Sequence, residues 1–251
     1  RYQTISKSKP LRSLVMKSFK RYLGEAIETP YTKYIESFYQ AVKDTHNVLL
    51  VGNLKVFTPK TGYPGYEPGK LITSGVQGDE PAGPVALLKW VRTNPMPPNL
   101  YFIPICSPES YVNKTHFDDA GRNVNLEIPN NPSVEIHHLV HASNNLLPVM
   151  CAEGYLSCQE DPKRDVAYLL VWKNHEVLVR KMLDILGKDF QLMDGDGINI
   201  GGTTDDNTTL GAYCVELGAS FGLTIETPVE NATLAKRVNA QIQLISEFVK
   251  V

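Results

Sequence analysis

Apolar positions along this chain follow two alternating rhythms, one of helices and one of short buried strands. Tyr31, Tyr34, Ile35, Phe38 and Val42 recur at helical spacing. They follow Thr29-Pro30, which reads as an N-cap and a proline at the first helical position. His46 to Phe57 is rich in β-formers and broken by Gly52-Asn53, predicting a strand and a turn. Thr58 to Lys70, with three Pro and three Gly, reads as a loop.

Beyond it the pattern alternates. Strands are predicted at Lys70 to Ser74, Asn99 to Ile105, Pro148 to Leu156 and Gly222 to Thr227. Helices are predicted at Pro81 to Arg92, Ser133 to Asn145 and Asn174 to Leu186. A final helix capped by Asn231 carries Ala235, Val238, Ile242, Ile245 and Val249 on one face. This alternation predicts an α/β fold: a three-layer α/β/α sandwich around a mixed, mostly parallel sheet. Residues 1–45 are expected to be a basic arm and a helix packed on a single α/β domain formed by residues 46–251.

Composition narrows the function classes. The 251 residues carry a formal net charge of −2, which argues against non-specific nucleic-acid binding. No apolar run is long enough to span a bilayer. The four cysteines are widely spaced with no CxxC pair, so buried free thiols are expected. There is no phosphate loop, no GxGxxG and no GxSxG elbow, which argues against nucleotide and serine-hydrolase chemistry.

In parallel sheets, sites form at the carboxyl ends of strands. The polar residues that fall there are Gln77 and Glu80 after one strand, Gln159 to Asp161 after another, and Glu226 at the end of a third. Glu80 is a good anionic metal ligand, whereas Gln77 offers only a neutral carbonyl oxygen. His137 and His141 share a helical face, but without HExxH the expected role is a solvated or half-buried surface. Cys158 neighbours Gln159 and should point to the opposite side of its strand.

Four motifs then occur in a familiar order: SGVQGDEPAG, GRNVN at Gly121 to Asn125, CQEDP at Cys158 to Pro162, and TIETP at Thr224 to Pro228. Together they resemble the M14 family of zinc carboxypeptidases, including its murein-peptide amidase and cell-shape carboxypeptidase branches. A related group contains succinylglutamate desuccinylase and aspartoacylase. The resemblance implies a carboxypeptidase-like fold and one zinc ion held by Gln77, Glu80 and Gln159, at positions usually occupied by His, Glu and His. It implies Glu226 as the catalytic base and acid. It also implies that Asn125 and His116 contact the substrate, His116 standing where an oxyanion-stabilising arginine is often found, and Arg122 is the cationic candidate for substrate binding near these motifs.

The departures are specific. Leu126 stands where an arginine usually grips the substrate carboxylate. The cell-shape branch resembles QGDEP at the first motif, but Gln159 has no such parallel. Two amide oxygens and one carboxylate form an oxygen-only donor set, harder than zinc prefers. Three functions follow as expectations. The first is a metallocarboxypeptidase or amidase acting on a peptide or small amide, such as a murein peptide, through an attenuated metal site. The second is an inactive pseudopeptidase that binds a peptide or protein partner. The third is an aspartoacylase-like deacylase using Arg122 as its cationic clamp. Gly197 to Thr209 is expected to be a plain loop or a substrate-covering one.

Overall fold

The computed structural model describes residues 29–60, 67–126, 128, 134–141, 146–193, 197–200 and 209–251. The predicted basic arm, most of the Gly197 to Thr209 loop and residues 61–66 of the Thr58 to Lys70 loop lie outside these residues. Eight strands are described: β1 (His46–Val51), β2 (Leu54–Pro59), β3 (Lys70–Ser74), β4 (Leu100–Ile103), β5 (Gly154–Asp161), β6 (Tyr168–Trp172), β7 (Ile198–Ile200) and β8 (Gly222–Pro228). They form one sheet in the order β1-β2-β4-β3-β5-β8-β6-β7. Its centre, β4-β3-β5-β8, is parallel, while β1, β2 and β6 pair antiparallel with their inner neighbours. The sheet is therefore mixed around a parallel core, as the alternating pattern predicts.

The two faces carry separate helical layers. One is built by α1 (Pro30–Val42), α2 (Ala82–Thr93), α6 (Glu176–Asp189) and α8 (Leu234–Lys250). Phe38, Leu87, Trp90, Met182, Leu244 and Phe248 pack there with Ile72, Phe102, Leu156 and Leu223 of the strands. The other is built by α4 (Val134–His141), α5 (Leu146–Cys151) and α7 (Leu210–Glu216), against Leu71, Tyr101, Ile103 and Tyr155. A short helix, α3 (Pro108–Asn113), follows β4. All four cysteines are free and buried, as expected. Among the described residues no helix is long and apolar enough to cross a membrane.

Three local expectations are corrected. Leu146 to Cys151 is helical and the strand begins only at Gly154, so Pro148 to Leu156 is not one strand. Pro148 occupies the first turn of α5, where no backbone N–H is needed for an intrahelical bond. The last helix is capped by Thr233, whose side chain accepts from the Lys236 N–H at 3.3 Å. Asn231 instead sits at φ 59° in the turn before it, a left-handed conformation that asparagine tolerates. The periodicity also missed β7, α3 and α7, too short to show a repeat, and β6, an apolar run as long as β3.

Candidate functional site

Strand alternation sorts the motif residues before any side chain is considered. On β5, Leu156, Cys158 and Glu160 face the α2/α8 layer, while Tyr155, Ser157 and Gln159 face the other. Gln159 lies in direct register with Glu226 of β8, which projects to the same face. Cys158 is indeed buried on the opposite side. Its backbone carbonyl would stand 2.3 Å from a Cβ at Gly83, so α2 lies directly on the strand.

The loop after β3 brings in the acidic pair. A Cβ on Gly78 would fall 1.7 Å from the Ser110 carbonyl, and the Gly78 N–H donates to the Thr115 carbonyl at 2.8 Å. Glycine thus allows the QGDE turn to press against the end of α3, and the loop that follows α3 carries His116 beside Asp79 and Glu80. His116 Nδ1 is 3.3 Å from Asp79 Oδ1 and 3.9 Å from Glu80 Oε1. The ligand atoms of these three residues lie within 4.8 Å of one another, and no other such group occurs among the described residues.

Asn123 links this cluster to the glutamines. Its Oδ1 accepts from Gln77 Nε2 at 3.1 Å and from the Asn125 N–H at 3.0 Å. Its Nδ2 lies 3.4 Å from His116 Nε2. Asn125 Nδ2 in turn donates to Gln159 Oε1 at 3.4 Å, and Gln159 Nε2 donates to Ser157 Oγ at 2.8 Å. The buried Gln77 Oε1 has no hydrogen-bond partner. Gln77, Glu80, Gln159, Asn125 and Glu226 are each less than 10 % exposed.

The carboxylates are held in an unusual state. Burial pushes Glu80 well above the ordinary carboxylate range, and the Glu226 charge pushes it further, against a bond accepted from the Glu160 N–H at 3.1 Å. Glu226 is raised in the same way, first by burial, then by Asp161 and Glu160, with Arg164 opposing. Two such groups disfavour simultaneous ionisation unless a positive charge joins them.

Other expected residues have firm partners. Arg122 donates through Nε at 2.9 Å and Nη2 at 2.8 Å to Asp118 Oδ2, bracing the GRNVN turn. Leu126 is 38 % exposed at the edge of that turn. His137 and His138 are exposed on α4, consistent with a solvated histidine face; the His141 side chain lies outside the described residues. Glu160 points away from Gln159, accepting the Ala82 N–H at 2.6 Å and lying 2.8 Å from Arg237 Nε, off the line of a good hydrogen bond. Sequence reasoning did not single out Asp79, Asn123 or Ser157. Asp79 adjoins Glu80 and the Asn-x-Asn spacing was visible, but only the folded loops show that these residues meet.

The arrangement is that of the metallocarboxypeptidase-like α/β/α fold. The solved structures similar to this chain have that character. A candidate metallopeptidase from Shewanella denitrificans OS217 superposes with a TM-score of 0.75 at 21 % identity, covering 87 % of this chain and 88 % of its own. A second, from Shewanella baltica OS155, gives 0.75 at 23 % identity, covering 88 % and 90 %. A metallo-carboxypeptidase from Burkholderia cenocepacia gives 0.67 at 12 % identity, covering 88 % and 67 %. No family model and no curated protein matches the sequence.

Proposed function

We propose that this chain is a metal-dependent hydrolase of a peptide or small amide bond, of the carboxypeptidase or amidase kind, with Glu226 transferring the proton. One observation carries the reading. Two buried carboxylates, Glu80 and Glu226, lie at the carboxyl ends of the central strands close enough for the Glu226 charge to act on Glu80, and Gln77 Oε1, on the same turn as Glu80, is buried without a partner. Buried unpaired charge and unpaired polar atoms are costly, and a cation relieves both at once. The likeness to solved metallopeptidases supports the same reading.

The donor chemistry fits a divalent ion: Glu80 supplies a carboxylate, Gln77 a neutral oxygen, and His116 an imidazole within reach. Such an ion supplies Lewis-acid polarisation of the scissile carbonyl and a more acidic attacking water. Glu226 would take the proton of the attacking water and return it to the leaving amine. Asn125 sits beside Gln159 and Leu126 at the rim, so the substrate's end meets an amide and an apolar side chain, not a guanidinium. A murein-type peptide is the substrate class that the motif resemblance favours.

Hydrolysis of a panel of peptides with free C-termini, murein-type peptides and N-acyl amino acids tests the reading. Peptide hydrolysis is expected in the wild type and is abolished in Glu226→Gln with the thermal unfolding curve retained. Undiminished turnover in Glu226→Gln refutes it. A non-catalytic peptide-binding scaffold is the second reading, favoured by the engagement of both ends of the Gln159 amide. It predicts no hydrolysis by the wild type and peptide binding that survives Glu226→Gln. The deacylase reading requires Arg122 to leave Asp118, and cleavage of N-acyl amino acids alone would favour it.

A further inference from the structure

We propose that the cation site is displaced from the Gln159 side of the strand ends to the loop side, where Asp79, Glu80 and His116 are the side-chain ligands and Gln77 Oε1 adds a neutral donor. The inference rests on the metal-dependent reading above and names which residues hold the ion. Gln159 is spent: Asn125 donates to its oxygen at 3.4 Å, and its NH2 group donates to Ser157 at 2.8 Å. Gln77 is spent at one end only. The Asn125 N–H can only donate, so it fixes Asn123 with Oδ1 toward itself and toward Gln77. Gln77 must therefore turn its NH2 group to Asn123, leaving Oε1 buried and without a partner.

The distances on the loop side fit a small ion. Donors around a four-coordinate ion at roughly 2.1 Å stand about 3.4 Å from one another. His116 Nδ1 stands 3.3 Å from Asp79 Oδ1 and 3.9 Å from Glu80 Oε1. The group also restores what the glutamines remove, because an imidazole nitrogen and two carboxylates suit borderline ions such as Zn²⁺, Co²⁺ or Mn²⁺. Asn123 Nδ2 faces His116 Nε2, which places the ring proton on Nδ1, toward the carboxylates. A cation held there would take the Nδ1 lone pair, with the ring proton on Nε2 and the long Asn123 contact at 3.4 Å given up.

Titration of the chelator-treated protein with Co²⁺, followed by its visible absorption and by calorimetry, tests this without any assay of activity. Asp79 and His116 are loop residues with side chains 33 % and 22 % exposed, so Asp79→Asn and His116→Gln should fold. One Co²⁺ per chain is expected in the wild type. Both variants should bind it more weakly by more than the roughly ten- to hundred-fold that loss of an outer-shell partner costs. Gln159→Met should keep the wild-type affinity, with its thermal unfolding curve showing that it is folded. Wild-type affinity in His116→Gln overturns the displaced site while leaving the metal-dependent reading intact. Absence of stoichiometric Co²⁺ in the wild type overturns both.

Discussion

The Gln77 amide is held by its nitrogen and the Gln159 amide by both of its polar atoms, although both stand at positions where the motif resemblance implies a ligand. The difference comes from the neighbours: Ser157, two residues before Gln159 on the same face of β5, supplies the second bond. A buried ion pair behind the site makes a sharper test of residue energetics. Glu160 lies 2.8 Å from Arg237 Nε, with the two side chains 0 % and 7 % exposed. Arg237→Met strands the carboxylate and should cost about 3 to 5 kcal/mol in denaturant unfolding. The double variant Glu160→Gln/Arg237→Met should recover part of that loss.

His46 gives a pH-dependent expectation at the same scale. Its Nε2 donates to the Leu100 carbonyl at 3.0 Å, which leaves Nδ1 facing the Thr45 hydroxyl as the acceptor. Burial lowers its pKa from 6.5 to about 4. The unfolded chain therefore binds the extra proton first, between those values. The contribution of His46 is fully present above pH 6.5 and is lost as pH falls toward 4, by about 3 kcal/mol in all. Chemical unfolding between pH 7 and 4 should show this decline, with a shallower slope in His46→Gln.

At the scale of elements, the site depends on how closely α2 approaches β5. The Glu160 carboxylate caps the start of α2 through the Ala82 N–H, and the Glu160 N–H returns to Glu80. Helix, strand and acidic turn are thereby tied within a few residues. Gly83 permits the approach, since a Cβ there would lie 2.3 Å from the Cys158 carbonyl. Glycine to alanine in a helix ordinarily stabilises by up to about 1 kcal/mol. Gly83→Ala should instead destabilise by about 1 to 3 kcal/mol, because the Cβ meets backbone, not a movable side chain. An unchanged or raised melting temperature would show that α2 can shift away at little cost.

For the whole molecule, a cation at the strand ends should act as a ligand of the folded state alone. At roughly one hundred times its dissociation constant it should add about 2.7 kcal/mol to stability. In a chain of this size that is a rise of roughly 5 to 11 °C in melting temperature. Glu80→Ala should remove the dependence on metal while leaving the three-layer core in place. Thermal scans with Zn²⁺ and with chelator compare the two states directly.

The layers of this fold were legible in the sequence because burial imposes a period. Tyr34, Ile35, Phe38 and Val42 mark α1, and the LITS run marks β3. The seven residues of α7 are too few to express a helical period, and Pro148 reads equally as a strand edge or a helical first turn. The candidate site was legible as a list of strand-end residues, since Glu80, Gln159 and Glu226 follow directly from where strands end. Which of them keep a free polar atom was decided only by tertiary structure. Hydrogen bonds to Ser157, Asn123 and Asn125 determine which amide oxygen stays free, and the close seat of Gly78 brings His116 to the acidic turn. Residue type limits what a side chain can donate or accept, but the partners that use up this capacity come from distant parts of the chain.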